Sequence, residues 1–120
     1  MQHVGVDIIE ISRIEDALMR FDPGFLERIY TPKEIGLYKD KLPSLAARFA
    51  AKEAVIKALD APGTNPRDIE ILSAKDGKPL LSLHGQAKEK AEQLGIKELN
   101  ISLSHSREYA VAFVVGESAD

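Results

Sequence analysis

The alternation of apolar and polar residues predicts a strand and then a helix at the start of the chain. Residues 3–11 are largely apolar and β-branched, as in a buried strand, and Asp7 interrupts this run. Ser12 and Glu15 have the spacing of a capping box. We therefore expect a helix to begin at Arg13 and to continue to about residue 21, where Asp-Pro-Gly stops it.

Further start signals predict three more helices in the first half of the chain. A short helix is expected at residues 25–30, and Thr31 with Glu34 forms a second capping box. Pro43 then opens a long helix that continues to about Leu59.

The pattern of the second half predicts two hairpins separated by one helix. Residues 69–83 form the first hairpin, with its turn at Asp76-Gly77, and residues 84–95 form an amphipathic helix closed by glycine. Residues 98–105 and 108–115 form the second hairpin, whose last strand is apolar on both faces, as is typical of a central strand. The predicted class is α+β, a single domain over residues 1–120 with helices packed on a mainly antiparallel sheet.

The long helix carries its charges in an unusual way. Apolar residues occupy two opposite sides of it, so both sides are expected to be buried. Its charges form two pairs at helical spacing, Arg48 with Lys52 and Glu53 with Lys57. One interpretation is that the pairs are two solvated rims. The other is that Glu53 faces a crevice, where an ionised carboxylate needs a partner or a metal.

Composition narrows the possible functions. A net charge of -3 and a pI near 5.6 argue against a nucleic-acid-binding protein. Because the chain has no cysteine, a metal would be held by oxygen or imidazole ligands, which favours a hard ion such as Mg²⁺. No apolar run is long enough to span a membrane and no signal peptide is visible, so we expect a cytoplasmic protein.

Three polar residues stand where the local pattern does not require them, namely Asp7, Glu53 and His105. Each also has a structural explanation: Asp7 as a helix cap, Glu53 as the partner of Lys57, and His105 as the end of a hairpin. The serines near His105 suggest a hydrolase. We reject that interpretation because the chain contains no nucleophile-elbow motif.

Taken together, three stretches resemble the holo-acyl-carrier-protein synthase family of 4'-phosphopantetheinyl transferases. They are GVDIIEISRI (5–14), RFAAKEAVIKAL (48–59) and SLSHSREYAVAFVV (102–115), and the likeness extends over essentially the whole chain. The resemblance implies transfer of the phosphopantetheine arm of coenzyme A to a serine of apo acyl carrier protein, for fatty acid biosynthesis. It also implies a homotrimer with active sites between subunits.

The resemblance assigns roles to particular residues. It implies that Asp7 and Glu53 bind Mg²⁺, and it leaves open whether Mn²⁺ substitutes for Mg²⁺. Lys57, one turn beyond Glu53, and Arg48 are then expected to contact phosphates of coenzyme A. His105 is expected to contact a phosphate or to take the serine proton, and we favour the first role.

Further residues are assigned to the two substrates. Lys78 and Pro79 are placed near coenzyme A, and Arg13 is implied in docking the acidic carrier protein. Arg20 lies on the same helix face as Arg13 and is included with it, with a plain solvated face as the alternative.

Two positions depart from the family pattern, and two rival functions remain open. His3 and Asp60 replace glycines that are frequent in the family, and Asp60 leaves the contacts of the nucleotide loop open. The rivals are a non-catalytic binding module, in which Asp7 and Glu53 are structural, and a transferase for non-ribosomal peptide carriers. Such transferases are usually about twice as long as this chain.

Overall fold

The computed structural model describes residues 1–119, and its helices and strands follow the predicted order. They are β1 (Gln2–Glu10), α1 (Ile11–Phe21), α2 (Gly24–Ile29), α3 (Pro32–Tyr38), α4 (Leu42–Leu59), β2 (Ile69–Ser73), β3 (Pro79–Leu83), α5 (Gly85–Leu94), β4 (Ile96–His105) and β5 (Tyr109–Ser118). The α+β class is confirmed. None of the helices within residues 1–119 is long and apolar enough to cross a membrane.

The strands form two sheets instead of one, and every pairing is antiparallel. β1, β5 and β4 make a three-stranded sheet in that order, so the central position predicted for β5 is confirmed. β2 and β3 make a separate two-stranded sheet. The connection between β2 and β3 is longer than the predicted turn, because strand pairing stops at Ser73 and Pro79. Among the connecting residues 74–78, only Gly77 has a positive φ, 86°.

The start predicted for α1 is wrong by two residues. The helix begins at Ile11, its N-cap is Glu10, and no side chain caps it, so Ser12 and Glu15 lie inside the helix. The reason is a tertiary contact, since the backbone N–H of Ile11 donates to the carbonyl of Glu108 at 2.8 Å. This bond satisfies one of the free N–H groups of the first turn from another part of the chain.

The long helix α4 is buried on both of its apolar sides, as predicted. Leu45 and Leu59 are fully buried on one side, and Ala51 and Ala54 on the other. α4 crosses β1 at Gly5, where an added Cβ would lie 1.9 Å from the carbonyl oxygen of Ala54. Only glycine permits this approach, because any larger residue would push the helix away from the strand.

The outer face of the three-stranded sheet is uncovered in the single chain. β1 and β5 were expected to be buried strands, but side chains alternate along them and only the face toward α4 is packed. The exposed apolar residues on the other face are Val4, Val6, Ile8, Tyr109 and Phe113. Exposed apolar patches of this kind mark interaction surfaces.

We predict that Gly5→Ala lowers the free energy of unfolding by about 3 kcal/mol, the upper end of the range for overpacking a core. Gly36→Ala is the matched control, because an added Cβ there meets no atom within 4 Å apart from its chain neighbours and the backbone of its own helix. Gly36 is inside α3, so its replacement should stabilise the protein by about 0.5–1 kcal/mol. Denaturant unfolding measures both, and equal midpoints for Gly5→Ala and the unmodified protein would contradict the packing at β1.

Candidate functional site

Asp7 faces α4 because side chains alternate along β1. Gly5 and Asp7 lie two residues apart on the same face of the strand, so Asp7 stands beside the point where α4 crosses. Its side chain is 19% exposed. The carboxylate is therefore close to the helix and still within reach of a ligand.

α4 brings Glu53 and Lys57 to the same place. Lys57 donates from Nζ to Oδ1 of Asp7 at 3.1 Å and to the carbonyl oxygen of Val6 at 2.9 Å. Glu53 is half-buried, and burial raises its pKa. The carboxylate of Asp7 raises this pKa further, and Lys57 opposes the shift.

The donors at this site suit a hard divalent ion. Within residues 1–119 no three acidic, histidine or cysteine side chains are grouped as a complete metal site, so Asp7 and Glu53 are two carboxylates without a third. Mg²⁺ commonly uses one or two protein carboxylates and completes its shell with water and substrate phosphates. Two carboxylates that repel each other, with one cation beside them, fit such an ion.

The other charged pair of α4 is buried, so the interpretation of solvated rims is wrong for Arg48 and Lys52. Arg48 is 4% exposed and donates from Nε to the carbonyl of Ile71 at 2.8 Å and from Nη2 to Oγ of Ser73 at 2.9 Å. Its guanidinium also lies 3.6 Å from the ring centroid of Tyr38. Arg48 thus holds β2 against α4, and its guanidinium is engaged within the fold instead of being exposed to bind a phosphate.

The role of Glu34 beyond its capping box was not predicted from the sequence. Both capping bonds are present, with Thr31 N to Glu34 Oε1 at 2.9 Å and Glu34 N to Thr31 Oγ1 at 3.2 Å. The carboxylate is also completely buried and accepts from Lys52 Nζ at 2.7 Å. A lysine among the alanines of a helix buried on both sides was the available signal for such a pair.

His105 is not brought to Asp7 within one chain. It lies exposed at the end of β4 and pairs with Ala110, which in turn pairs with Ile9. It is therefore two strands away from β1 and two residues further along, or about 10 Å across the sheet and about 7 Å along it.

Lys78 and Pro79 lie in a different part of the molecule. They line a groove of about 530 Å³ between β3 and β4, together with Leu99 and Ile101. Asp60, in contrast, shares a cavity of about 280 Å³ with Lys57. Asp60 ends α4 in the left-handed conformation, with φ 51° and ψ 48°, which explains why glycine suits this position.

Arg13 and Arg20 are exposed on α1, as a docking surface requires. Met19 and Phe21 near the end of the same helix are also exposed, by 80% and 58%. α1 therefore combines cationic and apolar groups that are free to contact another molecule.

We predict that Glu53→Gln stabilises the metal-free protein increasingly as the pH rises. The pKa of Glu53 is raised by folding, so its favourable contribution is present below the pKa of an unfolded glutamate and is lost as pH rises through the folded pKa. Gln does not titrate. The melting temperature of the variant minus that of the unmodified protein should therefore increase between about pH 4 and about pH 8.

The matched control is Glu89→Gln, which makes the same change at an exposed position on α5. If this difference in melting temperature stays constant or decreases as the pH rises, the raised pKa of Glu53 is contradicted.

Comparison with known proteins identifies the family of this chain. The model of the 4'-phosphopantetheinyl transferase superfamily matches residues 3–114. A holo-[acyl-carrier-protein] synthase of Dehalococcoides mccartyi is 57% identical over 118 residues, covering 98% of this chain and 99% of the relative. One from Herpetosiphon aurantiacus is 46% identical, covering 93% of this chain and 95% of the relative. 

Solved structures give the same result. The holo-[acyl-carrier-protein] synthase of Helicobacter pylori, in complex with coenzyme A, has a TM-score of 0.83 and 41% identity, covering 95% of this chain and 99% of that one. The complex of the Chronobacterium ammoniagenes synthase with coenzyme A has a TM-score of 0.87 and 31% identity, covering 100% and 99%. The chain therefore belongs to the holo-[acyl-carrier-protein] synthase family of 4'-phosphopantetheinyl transferases.

Proposed function

We propose that the protein transfers the 4'-phosphopantetheine arm of coenzyme A to a serine of apo acyl carrier protein. The observation that carries the proposal is the meeting of Asp7, Glu53 and Lys57 where α4 crosses β1. Relatives that cover nearly the whole chain are named for this activity, and two similar structures contain coenzyme A. A carrier of fatty acid biosynthesis, in the cytoplasm, is the proposed substrate.

Asp7 and Glu53 are the proposed ligands of Mg²⁺, with Mn²⁺ as a possible substitute. Their hard oxygen donors and mutual repulsion support this assignment. The bound ion would neutralise the negative charge that grows on the diphosphate as it is cleaved. In this structure the ammonium of Lys57 pairs with Asp7, and the Lys57 side chain is 55% exposed. With Asp7 engaged by the ion, Lys57 would turn and donate to a diphosphate oxygen.

The proposed reaction is a single displacement at phosphorus. The serine Oγ of the carrier bonds to the phosphorus that holds the pantetheine arm, and the serine proton passes to a base. The bond from that phosphorus to the bridging oxygen breaks, and its electron pair leaves with adenosine 3',5'-bisphosphate. Lys57 supports this step electrostatically, because a cation at the diphosphate stabilises the charge of the leaving group.

His105 is proposed to bind a phosphate of coenzyme A, and the group that takes the proton is left open. In one chain His105 lies two strands from Asp7, which favours a site that draws residues from two subunits. The family resemblance implies three subunits, so we propose a homotrimer. The uncovered apolar face of β1 and β5 supports subunit contact there, because its burial would remove exposed side chains such as Ile8 and Phe113 from water.

Lys78 and Pro79 are proposed to contact the nucleotide end of coenzyme A. Their position beside an open groove supports this assignment. Arg48 is left out of the proposed phosphate contacts because its Nε and both terminal nitrogens already donate inside the fold.

We predict that Asp7→Asn and Glu53→Gln each abolish transfer while the protein stays folded. The amide keeps the volume of the carboxyl group but lacks the charge that binds a divalent ion. Apo acyl carrier protein is incubated with coenzyme A, Mg²⁺ and each variant, and mass spectrometry detects the added arm. Glu89→Gln is the control and should transfer normally. Normal transfer by either site variant at limiting Mg²⁺ would refute the metal assignment, and no transfer by the unmodified protein would refute the function.

A separate prediction concerns the carrier. Acyl carrier proteins are acidic, so Arg13→Glu should weaken carrier binding by about 1–3 kcal/mol through loss of a charged contact and added repulsion. Coenzyme A affinity should hardly change. Lys88→Glu makes the same charge reversal on α5 at an exposed position and should leave carrier binding nearly intact.

Calorimetric titration at several salt concentrations measures both ligands. Carrier binding by the unmodified protein should fall more steeply with salt than that of Arg13→Glu, because screening removes an attraction that the variant lacks. Equal losses for the two charge reversals would argue against docking on α1.

A further inference from the structure

The outer edge of β2 is paired with side chains instead of another strand. The carbonyls of Ile69 and Ile71 and the N–H of Ile71 take part in hydrogen bonds with residues outside the sheet. Their partners are Lys52, Arg48 and Glu34, in that order, and the Glu34 contact with Ile71 N is 2.9 Å. Edge groups of a sheet need such partners when they are buried.

Lys52 and Glu34 form the centre of this arrangement. Their side chains are 1% and 0% exposed, and Nζ of Lys52 lies 2.7 Å from Oε1 of Glu34. Lys52 also donates to the carbonyls of Pro66, at 3.0 Å, and Ile69. Its three N–H groups therefore have three acceptors, one on α3 and two within residues 66–69 at the start of β2.

Two kinds of contact fix the rotation of α4 about its own axis. The side of the helix that meets the sheets is dominated by alanine, including Ala50, Ala51, Ala54 and Ala58. Close packing of this side, with the carbonyl of Ala54 against Gly5, is one of them. The hydrogen bonds that the buried Lys52 ammonium donates are the other, because they are directional and are lost when the helix rotates.

We propose that the Glu34–Lys52 pair positions Glu53 for metal binding by fixing, together with the Gly5 contact, the rotation of α4 over β1. Glu53 follows Lys52 directly, so the direction of one side chain sets that of the other at about 100° around the helix. This inference rests on the proposed function of Asp7 and Glu53. Lys52 and Glu34 are positioning residues, since neither touches the proposed ligands.

A purely structural role would have a different signature. Buried ion pairs contribute little net stability when compared with apolar residues of the same volume. A pair kept only for stability would therefore be replaceable without effect on the site. Replacing Lys52 also leaves the carbonyls of Pro66 and Ile69 without their donor, so stability falls in either case. Weaker metal binding by a variant that still folds is therefore the sign that the pair sets the direction of Glu53.

The test uses the double variant Glu34→Gln with Lys52→Met, which keeps both volumes and leaves no buried charge. Tyr30→Phe is the control, because it removes a buried hydrogen bond of 2.7 Å from Tyr30 to the Leu45 carbonyl on the same helix. Mn²⁺ binding in the presence of coenzyme A is measured by electron paramagnetic resonance of the free ion, with melting temperature alongside. Lys52→Met alone is included, and its buried uncompensated carboxylate is expected to lower the melting temperature most.

We expect the double variant to bind Mn²⁺ about tenfold more weakly, the scale for partners that orient metal ligands, and Tyr30→Phe to bind it normally. A folded double variant with unchanged Mn²⁺ affinity would overturn the positioning role, as would a double variant that fails to fold while Lys52→Met folds and binds normally. Failure of the unmodified protein to bind Mn²⁺ would instead refute the proposed metal site, so the two failures are distinguishable.

Discussion

The absence of a side chain at Gly5 is the constraint on which the rest of the structure depends. It allows the backbone of α4 to lie directly on β1, where an added Cβ would meet the carbonyl of Ala54 at 1.9 Å. Asp7 is two residues further along the strand, and Glu53 and Lys57 flank the contact on the helix. A longer distance between helix and strand would separate the carboxylates, so the same approach that packs the core also assembles the candidate site.

The four charged side chains of α4 form two pairs that contact different strands and have different roles. Arg48 and Lys52 turn toward β2 and replace the partner strand that its edge lacks. Glu53 and Lys57 stand beside β1 and Asp7, where burial and the neighbouring carboxylate raise the pKa of Glu53. Burial also lowers the pKa of Lys52, against the opposing effect of Glu34, so this part of the core is held by groups that are costly to desolvate.

Local patterns predicted the α+β class, the order of the elements, the capping box of α3 and the burial of α4 on two sides. They failed where a distant segment supplied the partner. α1 begins at Ile11 because Glu108 receives its N–H, and Arg48 is buried because Ile71 and Ser73 accept from it. The sequence also predicted that β1 is a buried strand and that β5 is apolar on both faces, but a single chain covers only one face of each. The grouping of Asp7, Glu53 and Lys57 followed from motifs and the family resemblance, whereas the buried partner of Lys52 did not.

The most direct test of the site is a crystal structure of the protein with coenzyme A and Mn²⁺, located by its anomalous signal. We expect one ion bound by carboxylate oxygens of both Asp7 and Glu53, with Lys57 turned from Asp7 toward the diphosphate and α4 still in contact with Gly5. An ion bound elsewhere, with the Lys57–Asp7 pair intact beside bound coenzyme A, would contradict the assignment of these residues.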